Sequence, residues 1–320
     1  RGGARPPQPR IMGFIDQLRA TGHAVESICR VLRQEGCQIA ARTYRAWRRR
    51  SASARDTSDA VLLNVLHDLV GTPEGLYGRR KMTAWLRREG HQVGAGRVDR
   101  LMRVAGMNGV RRGRPVRTTV PAKDGCRAGD LLNRDFTAAA PNTKWVADFT
   151  YVRTWAGFVY VAFVLDCYSQ RILAWHAATA KTTPLVLTPL RIALWDRDRH
   201  GHPVQPGELI AHSDAGSQYT SLRFAEHLAA EGIAASIGTV ADAYDNALME
   251  CVIGLYKTEC ITTTIFHNGP YKTIADVEYA TAGWVEWYNN RRLHSSLAMT
   301  TPAEYETAYY AALNRELAPT

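Results

Sequence analysis

KWVADFTYV, residues 144–152, sets an acid in the middle of an apolar strand pattern. Side chains alternate across a strand, so Asp148 shares one face with Val146 while Trp145 and Phe149 take the other. Two similar runs follow, FVYVAFVLD (158–166) and QRILAWHAA (170–178), joined by the short turns RTWAG and DCYSQ. Apolar or alternating runs between such turns read as an antiparallel three-stranded meander.

Beyond the meander, TPLVLTPLRIALWDRD (183–198) reads as a helix and ELIAHSD (208–214) as a strand ending in Asp214. LRFAEHLAAEG (222–232) is a helix, IAASIG (233–238) a strand, and YDNALMECVIGLYKTE (244–259) a single helix carrying Glu250. This β-β-β-α-β-α-β-α order is that of an α/β, ribonuclease-H-like core with a mixed five-stranded sheet. Its fourth strand lies beside the first, which brings Asp214 next to Asp148, and the helix of Glu250 crosses those strand ends.

Three carboxylates from three elements repel one another when bare, so their convergence implies bound cations. An all-oxygen donor set suits Mg²⁺, with Mn²⁺ as the substitute, and no Cys/His cluster points to zinc. Two ions about 3.5–4 Å apart would activate a water or 3′-hydroxyl and stabilise the leaving oxygen in phosphoryl transfer. In that arrangement Asp148 bridges the ions, Asp214 holds one and Glu250 completes the shell of the other. Taken singly, Asp148 could serve a strand and Asp214 a turn before Gly216; the three together favour the site. Lys257 lies two turns beyond Glu250, placed to meet a phosphate. Among the other acids, Asp166 reads as a turn residue paired with Arg171, Asp245 as a helix N-cap, and Glu259 as pointing away. Asn246, Gln218, Tyr219 and Ser213 are candidate DNA contacts, His212 a candidate at the mouth of the site. YNNRRLHSSL (288–297) interleaves aromatic and basic groups and adds Arg291 and Arg292 to the candidate contacts.

Charge divides the 320 residues unevenly. Residues 1–135 hold 27 Lys/Arg against 12 Asp/Glu, a balance of +15, whereas residues 136–320 hold 13 against 18, a balance of −5. An arginine-dominated excess of that size favours a polyanion such as nucleic acid. Three short helical patterns open the chain: IMGFIDQLRATG, VESICRVLRQEG with Val25, Ile28, Val31 and Leu32 at helical spacing, and ARTYRAWRRR. They read as a helix-turn-helix unit or a charged helical lid. After the linker-like SASARDTSD, GLYGRRKMTAWLRREG (75–90) and VGAGRVDRLMRVAGM (93–107) form a second helical pair. Met82, Trp85, Leu86, Val98, Leu101, Met102 and Ala105 face inward. Arg79, Arg80, Arg97, Arg100 and Arg103 are the candidate DNA-binding residues of this pair. Turn-rich RRGRPVRTTVPAKDG follows as a basic linker.

The six cysteines form no CxxC pair and read as reduced, mostly buried residues, Cys251 included. No apolar run approaches the roughly 18 residues of a membrane span and no signal peptide opens the chain, so a cytoplasmic protein is expected.

At these residues the chain resembles the IS3 group of bacterial insertion-sequence transposases, within the superfamily of DDE transposases and retroviral integrases. The resemblance rests on KWVADFTYV, FVLDCYSQRILAW, HSDAGSQYTS, DNALMECVIGLYKTE and WVEWYNNRRLHSSLAMTTPAEY, with LYGRRKMTAWLRREG, RVDRLMRVAGM and ESICRVLRQEGCQIAARTYRAW upstream. Ala147, Ala215, Tyr244 and Cys251 depart from the usual residues of that pattern; none is a ligand. The resemblance implies that Asp148, Asp214 and Glu250 are the catalytic metal ligands, two ions per site, and that Lys257 supports DNA binding there. It further implies cleavage at terminal inverted repeats, joining through a circular intermediate, insertion into target DNA, and a homo-oligomer on double-stranded DNA. An upstream reading frame, as fusion or partner, often accompanies such a chain, and the absence of Met at the start and of a zipper suits a catalytic-frame product or a fragment. The expected division is 1–55 (helical), 56–113 (helix-turn-helix-like DNA-binding module), 114–144 (basic linker), 145–310 (catalytic core) and 311–320 (tail). A structure-specific nuclease on the same fold and an inactive DNA-binding regulator are the alternatives.

Overall fold

The computed structural model describes residues 6–111, 131–132, 135–214, 218–237 and 246–317. The basic linker expected at 114–144 falls largely outside them, as do Cys126, Ala215, Tyr244 and Asp245. The chain divides into two compact units, Arg1–Leu62 and Leu63–Thr320. Among the described residues no helix is long and apolar enough to cross a membrane.

In the first unit α1 (Gln8–Ala20), α2 (Val25–Gln34) and α3 (Ala41–Arg49) enclose Ile11, Ile15, Val25, Ile28, Cys29, Ile39 and Tyr44. Val31, which shares the apolar spacing of α2, is exposed, and Leu32 supplies that side of the contact. Asp16 of α1 accepts hydrogen bonds from Tyr44 and Arg48 of α3, tying the ends of the trio together.

The second unit takes in the end of α4 (Ala54–Asp68) and then a helical pair, α5 (Arg79–Arg88) and α6 (Ala95–Val104). Met82 and Leu86 of α5 bury against Val98, Leu101 and Met102 of α6, as the helical spacing predicts. Gly109 closes this pair: a Cβ there would lie 2.5 Å from the Gly78 Cα, so only glycine fits so close to the start of α5.

The sheet contains β1 (Lys144–Thr154), β2 (Gly157–Asp166), β3 (Ile172–Ala178), β4 (Ile210–Ser213) and β5 (Ala234–Ile237). Its order is β3-β2-β1-β4-β5. The meander is antiparallel, and β4 and β5 join in parallel, giving the expected mixed five-stranded sheet. One face carries Trp145, Ala162 and Val164 against α7 (Thr183–Arg199) and α8 (Leu222–Ala230). The other carries Phe163, which meets Tyr256 and Trp284 edge-on at 5.1 and 6.2 Å. That layer is built by α9 (Ala247–Leu255), a π-helical turn (Tyr256–Ile261) and α10 (Ile274–Asn290). The segment expected as one helix through Glu259 is thus interrupted after Leu255. Such widened turns insert an extra residue into the helical ladder and recur at functional sites.

Two buried ionic clusters fix the periphery to this sandwich. In the first, Glu306 of α11 (Pro302–Leu317) takes the guanidinium of Arg197 from α7, Arg171 Nη1 at 3.1 Å and Ser169 Oγ at 2.9 Å. Asp166 is a turn residue, as expected, accepting the backbone N–H groups of Asn142, Tyr168 and Ser169 at 2.7–3.1 Å. Its expected partner Arg171 reaches Glu306 instead, and the cation 3.9 Å from Asp166 is Arg197. In the second cluster Arg292 grips Glu259, described below with the site.

The α5–α6 pair docks on the end of α10. Glu74 accepts the indole N–H of Trp287 at 2.9 Å, and Tyr77 stacks on that indole. The Tyr77 hydroxyl donates to the Arg291 carbonyl at 3.2 Å and accepts the Leu293 N–H at 3.0 Å, while Arg88 pairs with Glu304.

Candidate active site

β4 pairs with β1 only over Lys144–Ala147, with Val146 opposite His212 and Ala147 opposite Ser213. Asp148 is therefore the first residue of β1 beyond that pairing, and Asp214 the first beyond β4, so both acids leave the sheet at one notch. The Asn246 amide donates to the Ala147 carbonyl at 3.2 Å, holding the start of α9 against that notch. Glu250 follows one helical turn later.

The electrostatics record how close the acids come. Burial, then Asp214, then Glu250 push the Asp148 carboxyl well above the usual carboxylate range; the Phe149 N–H, 2.7 Å from its Oδ1, and Lys257 act the other way. Asp214 is half-buried and Glu250 exposed. Lys257, on the π-helical turn, holds its Nζ 4.9 Å from the Tyr151 ring centre. Burial lowers its ammonium pKa and Asp148 partly restores it. Among the described residues, no group of three or more His, Cys, Asp or Glu forms a ready metal cage.

Tyr219 and Asn246, expected as DNA contacts, line the interior of the notch. The Tyr219 ring packs between Phe149 and Phe224, and burial, Asp148 and Asp214 raise its phenol well above the ordinary value. Its hydroxyl and the Asn246 Oδ1 are buried without a hydrogen-bond partner among the described residues. His212 is buried too, with Nδ1 2.8 Å from Ser236 Oγ and its ring edge-on to Phe136, so it supports the sheet from within. Ser213 is likewise buried, and Gln218, half-buried, donates to the Lys181 carbonyl at 3.2 Å.

The C-terminal candidates are placed differently from the expectation. Arg292 is 4% exposed, with Nη2 2.7 Å from Glu259 Oε1 and Nε 2.9 Å from Oε2. Its guanidinium lies over Trp287 and Tyr288. Tyr288, Asn289 and His294 are buried as well, and Asn289 bonds both backbone groups of Ile172 at the start of β3. The aromatic and basic alternation of this segment builds a core seam, and Arg291 alone of the two arginines is at the surface. Cys251, expected in the core, is exposed beside Glu250.

On the helical pair, Arg79, Arg80, Arg100 and Arg103 are exposed and Arg97 half-buried; Arg103 pairs with Asp99 one turn away. Tyr151 went unnoticed in the sequence reading. Its signal is an aromatic residue in a strand, three positions beyond Asp148, on the stretch of β1 that β4 no longer flanks.

Integrase core domain families match residues 138–243 and 231–302, and an HTH-like domain family matches residues 61–115. The chain is 45% identical over 280 residues to the protein of insertion sequence element IS986/IS6110 from Mycobacterium tuberculosis, covering 88% of this chain and 99% of that relative. It is 41% identical over 311 residues to the transposase for insertion sequence element IS629 from Shigella sonnei, covering 96% and 99%. Among solved structures, an intasome of simian T-cell lymphotropic virus in complex with a PP2A regulatory subunit aligns at TM-score 0.44 and 14% identity over 72% of this chain and 70% of that one.

Proposed function

Since the chain belongs to the IS3 family of insertion-sequence transposases, within the DDE transposase and integrase-core superfamily, we propose that Asp148, Asp214 and Glu250 carry its DNA strand chemistry. It is a DNA-acting enzyme of the transposase and integrase type. The finer reading is cleavage at the terminal repeats of its element and transfer of the freed 3′-hydroxyl to a second DNA. One observation supports it above the others: Asp148 and Asp214 each stand one residue past the end of the β1–β4 pairing, and the Asn246 amide ties the start of α9, one turn before Glu250, to the same point of β1.

The donor set fits Mg²⁺ or Mn²⁺. It consists of carboxylates only, and the burial and repulsion that act on Asp148, with the Tyr219 hydroxyl and Asn246 Oδ1 buried without a partner among the described residues, are what a cationic occupant would relieve. Asp148, Asp214 and Glu250 would hold such ions, which when bound supply charge neutralisation at the attacked phosphate and a more acidic nucleophile. The protein's own part is positioning. Asn246 ties α9 to β1 one turn before Glu250, the Tyr219 hydroxyl offers a donor to a water inside the notch, and Lys257 supplies positive charge along the approaching strand. Arg79, Arg80, Arg97, Arg100 and Arg103 would bind the terminal repeat, and Gln218 and Arg291 the flanking backbone. Two DNA ends must be joined, so more than one copy assembles on DNA.

The test is strand transfer on labelled terminal-repeat DNA with Mg²⁺, with and without chelator. A joined product that disappears on chelation supports the reading. Nicking without joining indicates the nuclease alternative.

A further inference from the structure

The tip of the β1–β2 hairpin carries an exposed aromatic cluster that the chemistry above does not use. Trp155, in the turn, is 73% exposed, and Tyr151 and Phe158, exposed on the two strands it joins, meet edge-on at 5.3 Å. Large aromatics left in water cost hydrophobic free energy, so three of them on one hairpin mark a contact surface. The cations interleaved with them define its chemistry. Lys272 Nζ lies 5.5 Å from the Trp155 ring centre, Lys257 Nζ 4.9 Å from that of Tyr151, and Arg153, between the two aromatics in sequence, is exposed.

The surface is also held still. The Trp155 and Ala156 N–H groups donate to the Tyr271 and Lys272 carbonyls at 3.0 Å each, and the Lys272 N–H donates to Asp276 at 2.7 Å in the first turn of α10. The hairpin tip is thus clamped to the helical layer while its rings stay in solvent. Rings presented rigidly lose little entropy on binding.

We propose that this hairpin is a stacking platform for unpaired bases of the DNA strand entering the site, with Trp155 and Phe158 taking base faces and Arg153, Lys257 and Lys272 the phosphates. Alternating aromatic and cationic groups is the composition that binds single-stranded nucleic acid without reading its sequence. The position supports it, because Lys257 belongs both to the platform and to the carboxylate notch, so a strand on the rings continues toward Asp148. This inference rests on the DNA-acting reading and adds that the strand is locally unstacked there.

The test uses the full chain and a 5-iodo-deoxyuridine-labelled duplex with a single-stranded 3′ tail, compared with the blunt duplex. Irradiation followed by peptide mapping should place the crosslink within residues 151–158 for the tailed DNA only. Trp155→Ala should weaken tailed-duplex binding by roughly 5- to 100-fold and leave blunt-duplex binding unchanged, with Trp155→Phe retaining most of the affinity. Equal binding by Trp155→Ala and wild type, or a crosslink confined to other segments, overturns the platform. Loss of self-association by Trp155→Ala with DNA binding intact also overturns it, assigning the surface to a second copy of the chain. A protein that yields the crosslink yet makes no joined product with Mg²⁺ would keep the platform and reject the strand-transfer reading.

Discussion

Glu259 and Arg292 form a bidentate ion pair in the layer between the sheet and the helical pair, roofed by Trp287 and Tyr288, with the Trp284 indole N–H 3.4 Å from Glu259 Oε2. Removing one member of a buried pair strands the other's charge, at a cost of about 3–5 kcal/mol. Arg292→Ala should therefore lower the denaturation midpoint sharply, whereas Arg291→Ala at the surface should stay within about 0.5 kcal/mol of wild type. Guanidinium titration of both variants checks this. A stable Arg292→Ala protein with weakened DNA binding would return Arg292 to the DNA interface.

Lys81 sits beside that pair. Burial, then Arg292, pull its ammonium down to about 7, against the opposing effect of Glu259, and its Nζ lies over the Tyr77 ring. The folded state thus binds fewer protons than the unfolded state between about pH 7 and the ordinary lysine value of about 10.4. Its contribution to stability rises with pH across that window and is least favourable below it. Lys81→Met should be more stable than wild type near pH 6, with the difference shrinking toward pH 10, read from thermal midpoints at both values.

Tyr219→Phe removes an unpartnered hydroxyl from the interior, so the folded protein loses no hydrogen bond made among the described residues. Thermal stability should be equal or slightly higher, while strand transfer should fall on the order of tenfold, the worth of one hydrogen bond to a water inside the notch. Unchanged product with unchanged stability would leave the hydroxyl without a role.

Arg100 and Arg103 lie on the exposed side of α6. If they contact phosphates, Arg100→Ala and Arg103→Ala should each weaken DNA binding and reduce the slope of log K against log salt by about one. Arg103 must leave Asp99 to do so, and an exposed pair of that kind, screened by solvent, holds it weakly. Binding isotherms over a series of salt concentrations measure the slopes.

The sheet was legible because apolar alternation in β1–β3 and the turns between them are local signals. Asp148 and Asp214 were legible as candidates because they end or interrupt such patterns. The tail was misleading for a physical reason: Tyr288, Arg292 and His294 look alike whether they face DNA or a buried carboxylate. The deciding partner, Glu259, is 33 residues away in sequence. The same holds for Asp166, whose turn role is local while the choice between Arg171 and Arg197 depends on where α11 brings Glu306. The π-helical turn leaves no mark in residue spacing, yet it changes the register in which Lys257 reaches Tyr151.

The central claim is that the three acids act as one unit, and single substitutions test it most directly. Asp148→Asn, Asp214→Asn and Glu250→Gln should each bind terminal-repeat DNA like wild type and give no joined product with Mg²⁺ or Mn²⁺. Full strand transfer by any one of the three would contradict the assignment of that acid and with it the site.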